Sequence, residues 1–468
     1  MIPERLIWLT AGAPAELARL FTDAGHEIYL VGGSVRDAVL GREPADLDFT
    51  TNARPGEIKR LIRTWADDLY TMGEAFGTIG AVKGEDRYEI TTFRAEVYVE
   101  DSRNPAVTFG DSIEADLQRR DFTINAMALQ LGIDEPRLVD PHQGVADVAS
   151  KTLRTPLGPD ISFSEDPLRM LRLFRFMSQL GFHPSAEELD AVSRMKDRLD
   201  IVSAERIRDE FSKLLIGDWA APALQLVVDS ELADKFIPEV PALAMEQDPF
   251  HHHKDVLAHS LAVMEKTDPD LVMRLAGLFH DVGKPATRKF EGPVVTFHHH
   301  EVVGARMARA RMRELRYPKE TIDAVGELVF LHMRPHTFKM GWTDSAVRRY
   351  VRDAGDLLAR LNQLVRCDVT TGNEKRARQI QRRIDELEVR IDELAEQEEL
   401  NAMRAPIDGN DVMAYLDLAS GPRVGIIMNL LLDKRIDEGP YEPAEAFESV
   451  RQWALERGME DPGPVPGQ

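Results

Sequence analysis

The stretch over residues 27–51, EIYLVGGSVRDAVLGREPADLDFTT, limits the fold of this chain more than any other. Its first five residues are apolar and β-branched, and they predict a short strand that runs into a tight turn at Gly32 and Gly33. We expect Ser34 to cap a helix that ends at Gly41. Backbone N–H groups of the turn and the positive end of the helix would then face one point, which suits a phosphate.

Two carboxylates follow, Asp46 and Asp48, at the start of a second predicted strand. Residues two apart in a strand project from the same face, so both side chains share one location. Because like charges this close are costly without a cation, the pair predicts one or two Mg²⁺ ions that bridge the carboxylates and a substrate triphosphate. Two solvated aspartates at a strand end are the alternative, but the glycine turn and Arg36 upstream favour the metal site.

In order and spacing, GGSVRDAVLG followed by DLDFTT resembles the first motif of the class II tRNA nucleotidyltransferases. These are the CCA-adding enzymes and bacterial poly(A) polymerases of the polymerase β superfamily. The resemblance implies that Asp46 and Asp48 hold the catalytic metals, and that Gly32, Gly33 and Arg36 hold the triphosphate. It also implies an α+β fold, in which a head with a small mixed sheet precedes a mainly α-helical neck, body and tail.

The segments FGTIGAVKG and RYEITTF predict adjacent strands that extend this sheet. Glu89 lies on the second strand and would stand beside the two aspartates if the strands are antiparallel. The resembling family has an acidic residue here, so Glu89 is a candidate third catalytic carboxylate, with a cross-strand pair to Arg87 or Arg94 as the alternative. Residues 96–110 have no clear period and predict a mobile loop, which the resemblance links to the change from C to A selection.

A dense charged cluster precedes the apolar run over residues 124–129, for which we expect a helix packed on the sheet. Unpaired charges are expensive near a core, so these residues either pair with one another or meet a ligand. RRDFTINA resembles the second motif of the family. The resemblance implies that Arg120, Asp121 and Asn125 contact the phosphates and sugar of the nucleotide.

The sequence SEDPLRMLRLFRFMSQLGF predicts one helix over residues 164–182, capped at its first residue. Asp166, Arg169 and Arg172 recur at steps of three and therefore share a face. A carboxylate accepts the amino group common to cytosine and adenine, and a guanidinium donates to the neighbouring ring acceptor. An intrahelical Asp–Arg pair is the alternative. The resemblance to the E-D-x-x-R motif of the family implies that Glu165, Asp166 and Arg169 form a protein template for CTP and ATP.

The net charge of −22 argues against a nucleic-acid partner, because phosphate contacts require Lys and Arg. Positive charge is concentrated locally at Arg169, Arg172 and Arg175, over residues 306–316 and over residues 375–383. Each cluster is either a solvated helix face or a site for phosphate. Given the resemblance, we expect Arg172 and Arg175 to extend the nucleotide site and the last cluster to touch a tRNA backbone.

From residue 251 the chain is rich in histidine. Four residues reproduce the H…HD…D arrangement of the HD metal phosphohydrolases: His259, His280, Asp281 and Asp368. Histidine with carboxylate suits a divalent transition metal such as Mn²⁺, Fe²⁺ or Ni²⁺, whose bound water would attack a phosphoester. His300 and His332 are weaker candidates for a second ion. Plain packing in the core is the alternative for any of these histidines.

The 468 residues are enough for several domains, and the single cysteine, Cys367, excludes a disulfide framework. No stretch approaches a membrane span and the N-terminus lacks the pattern of a signal peptide, so we expect a cytoplasmic protein without a membrane partner. We predict four parts: a nucleotidyltransferase head over 1–155, a neck and body over 156–245, an HD domain over 246–372 and a tRNA-binding helical tail over 373–460. The whole pattern is similar to actinobacterial-type members of the family.

The predicted activity is template-independent addition of CCA to the 3′ end of tRNA from CTP and ATP, with Mg²⁺ in the head and release of pyrophosphate. A poly(A) polymerase that uses ATP alone shares every motif above. An alternative of another class is an HD-type phosphohydrolase that acts on nucleotides or cyclic phosphates. The sequence predicts no oligomeric state.

Overall fold

The computed structural model describes residues 6, 8–44, 46–94, 110, 112–245, 255–291, 294–335, 338, 342–369, 374–398 and 404–466. The chain divides into two compact units. The first comprises Met1–Ala244 with Arg311–Tyr317, and the second comprises Met245–Ala310 with Pro318–Gln468. The first contains a sheet and the second is almost entirely helical, which confirms the expected α+β class.

The sheet of the first unit has seven strands among the described residues, in the order β3-β4-β5-β2-β1-β6-β7. Only β2 and β5 pair in parallel, so the sheet is mixed, as expected. The strands are β1 Ile28–Val31, β2 Leu47–Thr51, β3 Asp68–Tyr70, β4 Thr78–Lys83, β5 Asp86–Thr92, β6 Ala128–Gln130 and β7 Arg137–Val139.

Helices flank this sheet and continue after it. They are α1 Ala13–Thr22, α2 Gly33–Leu40, α3 Pro55–Ile62, α4 Ile113–Gln118, α5 Gly144–Ser150, α6 Pro159–Glu165, α7 Leu168–Leu180, α8 Ala186–Met195, α9 Ala204–Leu215 and α10 Ala220–Asp229. Two very short strands, β8 Thr152–Leu153 and β9 His183–Pro184, pair beside them. The loop expected over residues 96–110 lies outside the described residues, apart from residue 110.

The turn between β1 and α2 differs from the expectation in one detail. Gly32 has a φ of +72° and is itself the N-cap of α2, so the expected cap at Ser34 is wrong. The Ser34 hydroxyl instead donates to the carbonyl of Val31 at 2.9 Å. Glycine is favoured at this N-cap because a positive φ has almost no steric cost for a residue without a Cβ. The helix ends at Gly41, as expected.

The helix expected over residues 124–129 is also wrong. Thr123–Asn125 forms a single 3₁₀ turn, and the chain then enters β6, which pairs with β1. Residues 126–129 are all fully buried. The periodicity of such a short apolar run cannot distinguish a buried strand from a buried helix. Pairing with β1 makes this run a strand.

The single helix expected over residues 164–182 is two helices, α6 and α7. Asp166 between them is extended, with a φ of −138° and a ψ of 100°. Pro167 explains the break, because its ring disfavours helical backbone at the preceding residue and it has no N–H to donate. Residue 164 therefore lies in the last turn of α6 and caps nothing.

The second unit contains α11 Val256–Lys266, α12 Leu271–Phe279, α13 Lys284–Thr287, α14 His300–Glu314, α15 Lys319–Leu331, α16 Asp344–Ala354, α17 Leu358–Cys367, α18 Glu374–Glu398, α19 Gly409–Leu416, α20 Pro422–Glu438 and α21 Pro443–Glu456. The end of α14, from Arg311, belongs to the first unit. A hairpin of β10 Lys289–Glu291 and β11 Val294–Thr296 precedes α14. Within the ranges described above, no helix combines the length and apolarity that crossing a bilayer requires.

The start of α5 offers a test of this packing. A Cβ added to Gly144 would lie 2.3 Å from the carbonyl oxygen of Thr123 and 2.7 Å from Cγ of Met127. We expect Gly144→Ala to lower the free energy of unfolding by about 1–3 kcal/mol, since the backbone must move. Gly56→Ala in α3 is the control, because nothing lies within 4 Å of its added Cβ. It should raise stability by up to about 1 kcal/mol. Equal midpoints in differential scanning calorimetry would contradict this packing.

Candidate functional site

Three carboxylates meet where β2 and β5 pair. Asp48 lies directly opposite Glu89 in the parallel register, and Asp46 precedes β2 by one residue. The antiparallel pairing that was expected to bring Glu89 to the aspartates is wrong, but the parallel pairing produces the same neighbourhood. The alternative partner for Glu89, Arg87 on its own strand, forms no ion pair with it among the described residues.

The electrostatics of this trio favour a cation. Burial raises the pKa of Asp48, and the charges of Glu89 and Asp46 raise it further, while Arg120 opposes them. A divalent ion among the three carboxylates would remove this repulsion. All its protein donors would be hard oxygens, which fits a metal such as Mg²⁺ better than a thiolate-seeking ion.

The trio opens into a pocket of about 610 Å³. Its lining includes Asp46, Asp48, Glu89, Tyr70, Met72 and Arg87. Burial raises the pKa of Tyr70, and Glu89 adds to this, whereas Arg87 lowers it. Tyr70 and Met72 were not predictable from the sequence, because their positions depend on β3 lying at the edge of the sheet.

The glycine turn lies on the other side of the carboxylates, towards β1. A Cβ on Gly32 would be 2.9 Å from Nη1 of Arg120, and a Cβ on Gly33 would be 3.5 Å from Nη2 of Arg36. Continuing the register of β1 and β2 by one residue from the pair Leu30 and Phe49 places Val31, the residue before this turn, opposite Asp48. Two guanidinium groups and a bare backbone turn thus lie near the carboxylates, and together they form a suitable cradle for phosphates.

The arginines of the RRD segment are held by a buried carboxylate that was not among the candidates. Asp116 is completely buried and pairs with Nη2 of Arg119 at 2.9 Å and with Nη2 of Arg120 at 3.1 Å. Burial would raise the pKa of Asp116, but Arg120 and Arg119 overcome this and lower it. Of the two alternatives for these charges, internal pairing is therefore present in the structure.

A polar chain connects the glycine turn to α7. Nη1 of Arg36 donates to Oδ1 of Asn125 at 2.7 Å, and Nδ2 of Asn125 donates to Oδ1 of Asp121 at 3.0 Å. Oδ2 of Asp121 lies 2.5 Å from Nη2 of Arg172. Burial acts to raise the pKa of Asp121, but Arg172 and Asn125 hold it at about 2. The predicted second-motif residues therefore orient one another beside the phosphate cradle.

The centre of this positive region is Phe176, which the sequence analysis missed. Three guanidinium carbons lie over or beside its ring: those of Arg36 at 5.6 Å, Arg172 at 5.9 Å and Arg175 at 3.9 Å from the centroid. Arg175 also pairs with Glu210 at 2.5 Å. The available signal was an aromatic residue one helical turn after Arg172. The ring thus gathers three guanidinium groups, each of which also pairs with a carboxylate.

The two candidate base-reading side chains do not pair with each other. Nη1 of Arg169 donates to Glu165 at 2.9 Å, and its Nη2 donates to the carbonyl of Arg119 at 2.5 Å. Oδ2 of Asp166 accepts from Nη2 of Arg206 at 2.7 Å. The Asp166–Arg169 pair considered as the alternative is therefore absent from the described residues, and both side chains already have other partners.

In the second unit the ends of several helices bring the histidine cluster together. One group is formed by His259 on α11, by His280 and Asp281 after α12, and by Asp368 after α17. Nε2 of His259 lies 2.9 Å from Oδ1 of Asp368, and Nε2 of His280 lies 3.2 Å from Oδ2 of Asp281. His300 contributes Nε2 at 3.4 Å from Oδ1 of Asp281. All four predicted HD residues thus converge.

The two weaker candidates join the same cluster. Nε2 of His300 lies 3.3 Å from Nε2 of His332, and both rings are buried. Two groups of three ligand atoms result, one from His259, His280 and Asp368 and the other from Asp281, His300 and His332. Asp281 stands between them, since its two oxygens face different groups.

The rings are oriented for metal binding. Nδ1 of His280, His300 and His332 each lies 2.6–2.9 Å from a backbone carbonyl, which directs Nε2 into the cluster. Burial acts to lower the pKa of His280, but Asp281 and Asp368 raise it to about 10, whereas burial lowers the pKa of His332 to about 3. Mixed nitrogen and carboxylate donors fit a divalent transition metal.

Three parts of the chain match known domain families. Residues 28–154 match the "Poly A polymerase head domain", residues 181–243 the "Probable RNA and SrmB- binding site of polymerase A", and residues 250–373 the "HD domain". The second match assigns an RNA-binding family to helices that the sequence analysis treated as neck and body.

Curated relatives agree with the first match. The CCA-adding enzyme of Bacillus velezensis is 43% identical over 222 residues, which are 47% of this chain and 53% of the relative. The CCA-adding enzyme of Geobacillus sp. is 44% identical over 209 residues, which are 44% of this chain and 50% of the relative. The chain therefore spans about half the length of the curated relatives it matches.

Solved structures share the fold. The crystal structure of the Bacillus stearothermophilus CCA-adding enzyme in complex with CTP has a TM-score of 0.62 at 22% identity, over 96% of this chain and 98% of that chain. The Thermotoga maritima CCA-adding enzyme complexed with tRNA has a TM-score of 0.59 at 16% identity, with the same coverage of both chains. The chain thus matches the head-domain, RNA-binding and HD families in this order, and it shares its fold with CCA-adding enzymes of known structure.

Proposed function

We propose that the chain adds CCA to the 3′ end of tRNA, using CTP and ATP and releasing pyrophosphate. The observation that carries this proposal is the acidic trio of Asp46, Asp48 and Glu89 beside a glycine turn flanked by two guanidinium groups. A metal and a triphosphate need these two halves next to each other. The CCA-adding enzymes among the relatives support the choice of reaction.

In this proposal Gly32 and Gly33 expose backbone N–H groups to the triphosphate, and Arg36 and Arg120 neutralise its charge. Asp46, Asp48 and Glu89 would hold Mg²⁺. When bound, that ion supplies charge stabilisation at the α-phosphate and favours the ionised form of the attacking 3′-OH. The carboxylates fix the position of the site, because two of them are set by strand register and not by flexible loops.

The arginines around Phe176 concentrate guanidinium groups in a chain whose net charge is −22. Each of them has an acidic partner, which is Asp37 for Arg36, Asp121 for Arg172 and Glu210 for Arg175. We propose that Arg172 and Arg175 hold Arg36 and the polar chain in place, and add to the field at the phosphates. The RNA itself would be held by the helices of residues 181–243 and by the tail over 373–460, where Lys375 and Arg382 are exposed.

Selection of the base falls to Asp166 and Arg169 in this proposal. Reading a base through them requires the Asp166–Arg206 and Arg169–Glu165 pairs to open, since each pair now uses an atom that would face the base. The Asp166–Arg206 pair is partly exposed and is therefore inexpensive to exchange. The second pair is more buried, so the correct nucleotide would have to replace it with contacts of similar strength.

Addition of A alone is the close alternative. A tRNA that lacks its 3′ CCA, incubated with the protein and labelled CTP, separates the two activities. CCA addition predicts incorporation of C before A, and a poly(A) polymerase predicts none with CTP. We further propose the four-part division of the chain expected from its sequence and a cytoplasmic location.

A second activity is favoured by one observation, the convergence of six histidine and aspartate ligands in the HD unit. We propose a divalent transition metal there and hydrolysis of phosphoesters such as nucleotides or cyclic phosphates. Asp46 has no part in this reaction, so Asp46→Ala would leave it intact, whereas Asp281→Ala would abolish it.

The acidic trio gives the first prediction. Asp48→Asn keeps the size of the side chain but removes a charge that a metal requires, so kcat for C addition should fall at least roughly 100-fold. Asp68→Asn is the matched control, because this aspartate lies at the far edge of the same pocket and should have little effect. Normal incorporation of labelled CTP by Asp48→Asn would rule out the assigned metal site.

The aromatic centre of the arginine cluster gives the second. Phe176→Leu removes the ring from three guanidinium groups, so the KM for CTP should rise roughly 5- to 30-fold. Phe182→Leu is the control, since Phe182 is buried to a similar degree and has no guanidinium over its ring among the described residues. An equal rise in both variants would show that only packing was lost.

The HD cluster gives the third. Asp281→Asn should reduce the Mn²⁺ or Ni²⁺ retained after dialysis, measured by mass spectrometry of the metals, because Asp281 faces both groups of ligands. His183→Ala, at an exposed histidine of the first unit, should leave the metal content unchanged. Undiminished metal in Asp281→Asn would place the ion elsewhere.

A further inference from the structure

The surface beyond the carboxylates, on the side away from the glycine turn, has no role in the proposal above. Strand register connects it to the metal site in one row, from Asp48 through Glu89 on β5 and Gly80 on β4 to Tyr70 on β3. This row crosses the wall of the pocket. We name the part of this row beyond the carboxylates the Tyr70 face. It consists of Gly80, Tyr70 and the neighbouring Arg87.

Gly80 allows the aromatic ring to lie across this face. A Cβ at Gly80 would come within 2.0 Å of Tyr70 Cζ, so the ring occupies the space directly above the glycine. The Tyr70 hydroxyl has no hydrogen-bond partner among the residues that the structure describes. Met72, two residues on, is 93% exposed at the same pocket. A flat ring, a free hydroxyl and an exposed thioether together offer a surface for stacking.

Arg87 adds a positive charge to this face. It lies on β5 two residues before Glu89 and opposite Val82, and it lines the pocket. Within the described part of the chain it forms no ion pair, although Asp68 and Glu89 line the same pocket. An exposed guanidinium that the protein itself leaves unpaired is suited to a phosphate.

The direction of the reaction decides what this face binds. In phosphoryl transfer the attacking and leaving oxygens lie roughly in line on opposite sides of the phosphorus. The phosphate cradle lies on the β1 side of the carboxylates, so the pyrophosphate leaves on that side. The attacking hydroxyl must then approach from the side of β5, β4 and β3, where the Tyr70 face lies.

We infer that the Tyr70 face binds the 3′-terminal nucleotide of the acceptor RNA, with the Tyr70 ring stacked on its base or ribose and Arg87 on the adjoining phosphate. This inference rests on the proposed nucleotidyl transfer. It assigns a binding site to the 3′ end of the acceptor RNA, which the phosphate cradle does not contact. Stacking tolerates every base, and this suits a site that must accept first the end of the trimmed tRNA and then each added C.

The test measures the KM for RNA and the KM for CTP separately, with tRNA that lacks its CCA end and labelled CTP. Tyr70→Ala should raise the KM for RNA roughly 5- to 100-fold, because base stacking is lost. The KM for CTP should stay within about twofold. Tyr70→Phe retains the ring and should restore most of the RNA affinity. Arg87→Ala should weaken RNA binding. It should also lower the slope of RNA affinity against salt concentration by about one released ion.

Arg60→Ala is the matched control for charge. Arg60 is exposed on α3. Trp65, which follows this helix, contacts Tyr88, and Tyr88 lies on the face of β5 opposite to that of Glu89. It should change neither KM. Should Tyr70→Ala and Arg87→Ala leave the KM for RNA unaltered, or raise the KM for CTP instead, the inference is wrong. If the wild-type chain joins neither C nor A to RNA, the proposed function fails first and the inference with it.

Discussion

Repulsion among three carboxylates is the constraint on which the first unit depends. Asp48 and Glu89 face each other because β2 and β5 are paired in register, and the chain cannot separate them without breaking the sheet. Burial raises the pKa of Asp48 and the charge of Glu89 raises it further, although Arg120 opposes both effects. A divalent cation would offset this repulsion. In the proposed function, the glycine turn and guanidinium groups would lie on one side of this cation and the Tyr70 face on the other, which is the order that an in-line transfer requires.

In the proposed function, an acidic protein would bind RNA and triphosphate through local groups of arginines. Asp116 is fully buried and aligns Arg119 and Arg120, while Phe176 collects Arg36, Arg172 and Arg175 around one ring. Each buried carboxylate costs desolvation, which the adjacent arginines offset. The polar chain from Arg36 to Arg172 holds these groups in one geometry. Net charge is therefore a poor guide to the partners of this chain, and the local distribution is a better one.

Residues whose chemistry is local were predictable from the sequence. The strand and glycine turn and the pair of aspartates are encoded by residue type and short spacing, and the HD ligands by residue type in an ordered H…HD…D pattern. What the sequence did not show depends on contacts distant along the chain. The strand at residues 128–130 forms by pairing with β1, and Glu89 reaches the aspartates through the parallel pairing of β5 with β2. Phe176 joins the site only because Arg36, distant in the sequence, folds against its ring. The break at Pro167 was readable from the ring of proline and was missed because the helical periodicity continues across it.

A crystal soaked with CTP and Mn²⁺ tests the central claim most directly, because Mn²⁺ gives an anomalous signal. The account predicts a metal peak between Asp46 and Asp48, and a triphosphate along Gly32 and Gly33 within reach of Arg36 and Arg120. A metal peak elsewhere in the head, or a triphosphate away from the glycine turn, would contradict it.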